Sequence, residues 1–338
     1  MYKIHPMTLI DKPSAAIPAP REITTKPRVS DKIFRGIVTA GGLFSLVVLG
    51  LILIYLTYQG YDVLKSQGIG FITGSAWEVV TDDSGNINYD QTQFGLAAML
   101  IGTILCALIA VIIAVPISVL GALYLTFYAP AAIRKFMVAI IDLMAAFPSV
   151  LFGIWGFFVL MPSAEYWAKL LNKYLGFLPF FEMQVPVFTR SPFVAGVVLA
   201  IMIIPIVTSI SREIFGQTPL DRIQAAYALG ATRWAMIKAV VIPYGRSGVV
   251  GGAMLGLGRA MGETVAVYTV LNIVYQINWQ VLLGAGGNVA SMILLKFGEA
   301  GEGEIKALMA AGLVLFILTL VVNSIADLIV KSTGAKGR

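Results

Sequence analysis

Long apolar runs constrain this chain more than any other feature. Six stretches are each apolar over more than the roughly 20 residues that carry a helix across a bilayer: Phe34 to Tyr58, Phe94 to Tyr128, Ile133 to Met161, Pro192 to Ile214, Gly248 to Val274 and Ile305 to Val330. A backbone in lipid must satisfy its own N–H and C=O groups, so the expectation is an all-α, polytopic membrane protein of six transmembrane helices. Composition agrees, with 58% hydrophobic residues and only 12% charged, against about 25% charged in a soluble domain. The one cysteine, Cys106, lies in an apolar run and the one histidine, His5, near the N-terminus. A single residue of each excludes an internal disulfide and leaves a zinc or haem site almost no ligands to draw on, so no metal and no cofactor of its own is expected.

Residues 1–33 hold Pro6, Pro13, Pro18, Pro20 and Pro27 among mixed charges with no apolar period, which reads as a disordered tail. They lack the charged, apolar and small-residue regions of a signal peptide, so Phe34 to Tyr58 is expected to be a retained span. The membrane domain then runs over 34–331, with a short tail at 332–338. No internal repeat is seen. The net charge of +6 does not point to nucleic acid, because the basic residues sit in short loops where they report orientation. Seventeen of the 24 lie in the N-terminal stretch to Arg35, the turn with Arg134 and Lys135, the loop from Arg212 to Arg246, and the C-terminal stretch from Lys331. Both termini and the Arg212 to Arg246 loop are therefore expected to be cytoplasmic. Trp77, Trp167 and Trp279 fall in the opposite loops, as interfacial anchors would.

Pro116, Pro148 and Pro205 lie within the spans, and Gly248, Gly251, Gly252, Gly256, Gly258 and Gly262 crowd one of them. Proline kinks a helix and small residues let backbones approach, so a bent, closely packed bundle is expected. One loop is unusually ordered: "TPLDRIQAAYALGATRWAMIKAVVIPYG", from Thr218 to Gly245. Thr218 and Pro219 are placed to start a helix and Gly230 to end it, and Thr232 to cap a second that stops before Pro243. Ile223, Ala226, Tyr227 and Gly230 share one face at helical spacing. Such a knob fits either a protein groove or a helical linker lying on lipid headgroups.

Three ionisable residues fall inside apolar spans: Asp142, Arg259 and Glu263. A charge at mid-bilayer costs roughly 2.5–3.5 kcal/mol on insertion scales, so each is expected to face the protein interior. Arg259 and Glu263 are four residues apart and are expected to pair on one helix face. One reading is an ion pair that sets helix register; the other is a path for an anion, to which a guanidinium offers countercharge and a fork of donors.

The loop resembles the EAA motif of ABC-importer permeases in Ala225, Ala226, Gly230, Ile242 and Pro243, with Gln224 where that family usually has Glu. "LMAAFPSVLFGIWGFFVLMP", "LAIMIIPIVTSISREIFGQTP" and "GGAMLGLGRAMGETVAV" are similar to the permeases of high-affinity phosphate ABC importers, a likeness covering about 94–330. The resemblance implies a type I importer permease fold in a bacterial cytoplasmic membrane, with 218–243 as the coupling loop. It implies phosphate as substrate and Arg259 and Glu263 as residues of its path, with Asp142 standing where an acidic residue, often Glu, is expected. It also implies a second, similar permease, two copies of an ATPase that uses ATP and Mg, and an extracytoplasmic phosphate-binding protein. The chain has no G-x-x-x-x-G-K-[ST] loop, in keeping with a transport subunit that is not itself an enzyme. A secondary transporter or channel would leave the loop unexplained, and an intramembrane enzyme built on Asp142 and Glu263 would lack a nucleophile with its base.

Overall fold

Lipid offers no hydrogen-bond partners, and most of the described backbone is accordingly helical. The computed structural model describes residues 28–80, 87–88, 91–183 and 188–334. Residues 1–27 of the expected N-terminal tail and 335–338 of the C-terminal one lie outside the described residues. Helix α1 (Val29–Gln67) already starts within the stretch read as disordered, with Asp31 in its first turn, where a carboxylate suits the helix dipole.

Two compact units divide the chain, Met1–Ile52 and Leu53–Arg338. The first, as far as it is described, is essentially the N-terminal part of α1. Its apolar side chains, Phe34, Ile37, Leu43 and Phe44 among them, are exposed around the helix, as they are when the solvent is hydrocarbon.

The second unit is built on α3 (Ala97–Leu123) and α7 (Pro192–Gly216), with α10 (Ile242–Gly262) laid against both. Their shared core joins Cys106, Ala107, Ala110 and Ala114 of α3 to Val198, Leu199 and Ile203 of α7 and Leu257 and Met261 of α10. On α10, Gly248, Gly252 and Gly256 lie against Ile214, Ile210 and Val207 of α7; a Cβ on Gly252 would stand 3.0 Å from the Ile210 side chain. Half of the glycine cluster thus permits the close helix contact expected of it.

Among the described residues, six helical runs are long and apolar enough to cross a membrane: Val29–Gln67, Ala97–Tyr128, Ser149–Leu175, Pro192–Gly216, Arg233–Gly262 and Glu302–Ala326. Two of them correct the boundaries read from the sequence. The stretch Ile133 to Met161 is not one helix. It divides into α4 (Ala131–Ala145) and a run of α5 (Ser149–Trp155), a π-helical turn (Gly156–Leu160) and α6 (Met161–Leu175). Pro148 stands at the start of α5 with extended ψ, where a missing N–H is harmless and the preceding residue is driven out of helix.

The second correction concerns Pro243, which does not end a helix. The run begins at α9 (Arg233–Met236), passes through a π-helical turn (Ile237–Val241) and continues as α10. At that turn the Ile242 N–H reaches back five residues to the Ile237 carbonyl. The extra residue widens the helix just where the proline ring would meet a carbonyl in regular α geometry. Arg233–Gly262 is therefore a single helical run of 30 residues, about 45 Å long at 1.5 Å per residue.

On the side away from α8 (Leu220–Ala228), α2 (Gly70–Thr73) and two short antiparallel strands, β1 (Trp77–Glu78) and β2 (Gln93–Phe94), precede α3. Trp77 is not an interfacial anchor. It is 8% exposed, packs edge-on to Phe94 and donates its ring N–H to Glu304 at 2.8 Å, because that N–H needs a partner once the ring is buried. Trp167 and Trp279 are exposed.

Candidate functional site

The long run ends at Gly262, and the chain turns extended at Glu263 (φ −71°, ψ 128°) before resuming as α11 (Val265–Val270). This break removes the geometry on which Arg259 and Glu263 were expected to pair. Glu263 is no longer on the face of α10. The ion pairs among the described residues join Lys169 to Glu165, Lys296 to Glu304 and Lys306 to Asp62, and include none of Arg259, Glu263 and Asp142.

Glu263 is 8% exposed, and its Oε1 accepts the Ala266 N–H at 3.2 Å. That N–H belongs to the first turn of α11, where no helical carbonyl is available and a carboxylate suits the dipole. Away from water, the Glu263 carbonyl freed at the broken helix needs a donor. It comes from the start of α12 (Val289–Phe297), where Asn288 Nδ2 donates to it at 2.8 Å; Ser291 Oγ donates at 2.8 Å to the Thr264 carbonyl, which also accepts the Tyr268 N–H of α11 at 3.1 Å. Asn288 also caps α12, its Oδ1 accepting the Ser291 N–H at 2.7 Å. Reading the sequence missed both residues. Their signal was present, an Asn at the N-cap with Ser three residues on, ahead of an apolar run, in "NVASMILL".

Arg259 lies one turn before the break and is exposed. On α10 the exposed positions Gly251, Leu255, Arg259 and Gly262 form one face, while Gly252, Gly256, Ala260 and Met261 are buried against the rest of the chain. Asp142 is also exposed, on α4, and Ser209 of α7 donates to its Oδ1 at 3.1 Å. Glu263 alone of the three charges faces inward as expected. A cavity of about 310 Å³ is lined by Met144, Phe147, Leu151, Phe152, Trp155 and Ile201; this lining is apolar apart from the Trp155 ring N–H and offers an anion no countercharge.

At the other end of the long run lies α8. Gly230 follows it with φ +79°, the left-handed conformation that ends helices and suits glycine. Thr232 accepts the Ala235 N–H at 3.3 Å, capping α9 as expected. Thr218 does not cap α8, since its hydroxyl turns back to the Phe215 carbonyl at 2.9 Å. The expected small-residue face is divided as well. Ile223 and Ala226 pack inward against the cluster of Phe215, Met236 and Ile237, whereas Gln224, Ala225, Tyr227 and Gly230 are exposed. Leu229, at 89% exposure, Leu220 and Trp234 add apolar surface beside them. Pro243 is exposed and Ile242 half-buried, both on the long run.

Residues 114–334 match the family described as "Binding-protein-dependent transport system inner membrane component". The chain belongs to that family. Relatives of this inner-membrane component include the "Phosphate transport system permease protein PstC 2" of Mycobacterium tuberculosis, 40% identical over 302 residues, covering 88% of this chain and 91% of that protein. The "Phosphate transport system permease protein PstC" of Xylella fastidiosa (strain 9a5c) is 38% identical over 324 residues, covering 95% and 96%. Among solved structures, a bacterial alginate ABC transporter in complex with an alginate pentasaccharide-bound periplasmic protein contains a chain with the same fold. Its TM-score is 0.54 at 14% identity, covering 91% of this chain and 99% of that one. The fold class expected from the apolar runs is thereby established.

Proposed function

We propose that this chain is the permease subunit of an ATP-driven inorganic phosphate importer, forming the translocation path together with a second, similar permease. The observation that carries this reading is the single helical run from Arg233 to Gly262, which has the ordered α8 loop at one end and Arg259 beside a broken helix at the other. A continuous rod transmits a displacement of the loop to the break without absorbing it in a hinge. The EAA-like residues Gln224, Ala225, Ala226 and Gly230 lie in the loop, and Ile242 and Pro243 lie on the rod itself.

In this reading a separate ATPase, present in two copies and holding ATP and Mg, docks on the cytoplasmic side against the exposed face of α8. An extracytoplasmic phosphate-binding protein delivers substrate to the opposite side. Both termini are cytoplasmic, following the distribution of Lys and Arg. A guanidinium exposed on an apolar helix is costly against lipid, and Arg259 makes no ion pair within the described residues. Its place is at the boundary with the second permease, where it is free to meet a phosphate oxyanion with charge-assisted hydrogen bonds. Glu263 contributes by holding the break and placing a negative charge at its inner edge. Asp142, held by Ser209, adds acidic character to the same boundary. The relatives' names supply phosphate, whereas the site chemistry alone fits oxyanions in general.

The test is ATP-dependent uptake of labelled phosphate into vesicles holding the complete complex, with labelled sulfate as competitor. Saturable phosphate uptake that an equal concentration of sulfate leaves unchanged is expected. No uptake, or equal competition by sulfate, would overturn the reading.

A further inference from the structure

The break at Glu263 is held by side chains from a different helix, and that helix is itself anchored at both ends. At its start the Val289 N–H donates to Thr103 Oγ1 at 3.1 Å, and Thr103 donates in turn to the Met99 carbonyl at 2.7 Å on α3. A Cβ on Gly102 would collide with the Gly287 carbonyl, so the turn leading into α12 lies directly on α3. At its end Lys296 binds Glu304 at 3.1 Å and lies over the rings of Trp77 and Tyr275. Asn288 and Ser291 are each 1% exposed, so neither can touch a substrate in this conformation. Their polar atoms are spent on Glu263 and Thr264, with one contact closing the cap of α12.

We infer that Asn288 and Ser291 are positioning residues of the translocation path: clamped to α3 and Glu304, α12 fixes the broken helix and thereby the Glu263 carboxylate. The inference rests on the reading of Glu263 as part of that path. Two hydrogen bonds of 2.8 Å hold the two peptides that flank Thr264, the first of which joins it to Glu263. The carboxylate can swing only about its own side-chain torsions, and the Ala266 N–H at 3.2 Å restrains those. Without the two donors the Glu263 carbonyl would be left buried and unpaired, and the turn would relax toward continuous helix, carrying the carboxylate around the axis by about 100° per residue of added helix.

The experiment measures labelled phosphate uptake by the full complex for Asn288→Ser, Glu263→Gln and the double variant. Serine still caps α12 well but is too short to reach the Glu263 carbonyl, so folding is separated from positioning. Glutamine keeps the acceptor for the Ala266 N–H and removes the charge. Asn288→Ser should lower the maximal rate roughly tenfold, the scale of leaving one buried carbonyl without its donor, at unchanged half-saturating phosphate. In the Glu263→Gln background the same change should cost less than about twofold, because groups acting as one unit are not additive. Unchanged uptake in Asn288→Ser, or a full loss repeated in the double variant, would overturn the inference while an impaired Glu263→Gln leaves the path standing. Unchanged uptake in Glu263→Gln would sink both. Should Asn288→Ser fail to accumulate in the membrane, Ser291→Ala tests the same clamp through the Thr264 carbonyl and should show the same non-additivity.

Discussion

Substituting Gly230 separates the shape of the α8 loop from its surface. The residue has φ +79°, and a Cβ added there meets nothing within 4 Å. Gly230→Ala therefore introduces backbone strain and no collision. The left-handed conformation costs a residue with a Cβ about 1–2 kcal/mol, which shifts the ratio of capped to frayed loop end by about 5- to 30-fold. Asparagine tolerates this conformation, so Gly230→Asn should retain most of the wild-type behaviour. Gly230→Trp carries the alanine's strain plus a large ring projecting from an exposed position, where the docked ATPase would sit. ATP hydrolysis and labelled phosphate uptake by the assembled complex should fall in the order glycine, asparagine, alanine, tryptophan, with both lost in the last. Wild-type hydrolysis and uptake by Gly230→Trp would refute the docking role of the loop, and an asparagine as damaging as alanine would refute the conformational argument.

Three further outcomes follow from single residues. Gln224 is exposed and docking is read as fit more than ion pairing, so Gln224→Glu should change coupled ATP hydrolysis by less than about twofold; a larger change would show that charge matters there. Glu263→Gln should alter the preference for phosphate over sulfate in competition uptake, because a carboxylate can take a proton from a phosphate and sulfate has none to give; unchanged preference at normal membrane levels would remove that role. The Tyr275 hydroxyl, outside the spans, is buried without a hydrogen-bond partner among the described residues, and burial, then the charge of Glu304, push its pKa up. The unfolded chain loses this proton near pH 10 while the folded chain keeps it, so stability falls as pH rises above about 10. Tyr275→Phe should remove that fall and raise stability by about 1 kcal/mol in thermal unfolding; a less stable variant would contradict the assignment.

What could be read from the sequence divides along physical lines. The six apolar runs were legible because the bilayer imposes one length and one backbone geometry on them. Gly230 and Thr232 were legible because helix ends have strong local preferences. Pro243 misled, since its local rule, helix ends before proline, gave way to a π-helical turn at Ile237–Val241, which single-residue preferences do not reveal. Arg259 and Glu263 misled for a related reason. Their spacing promises an ion pair only if the helix continues, and the break is set by Asn288 and Ser291, which lie 25 and 27 residues away from the carbonyls they bind. Asp142 was expected inside the protein; it is exposed on α4 with Ser209 of α7 donating to it, a contact between residues 67 apart that the pattern of a single helix does not display.

Arg259 is where the proposed path stands or falls. Its guanidinium is exposed and makes no ion pair within the described residues, so Arg259→Gln should leave folding within about 0.5 kcal/mol of wild type. Losing a charge-assisted contact of about 1.5–3 kcal/mol to the anion should lower labelled phosphate uptake by the complete complex roughly 10- to 150-fold, with ATP hydrolysis retained. Normal phosphate uptake by the Arg259→Gln complex would contradict it.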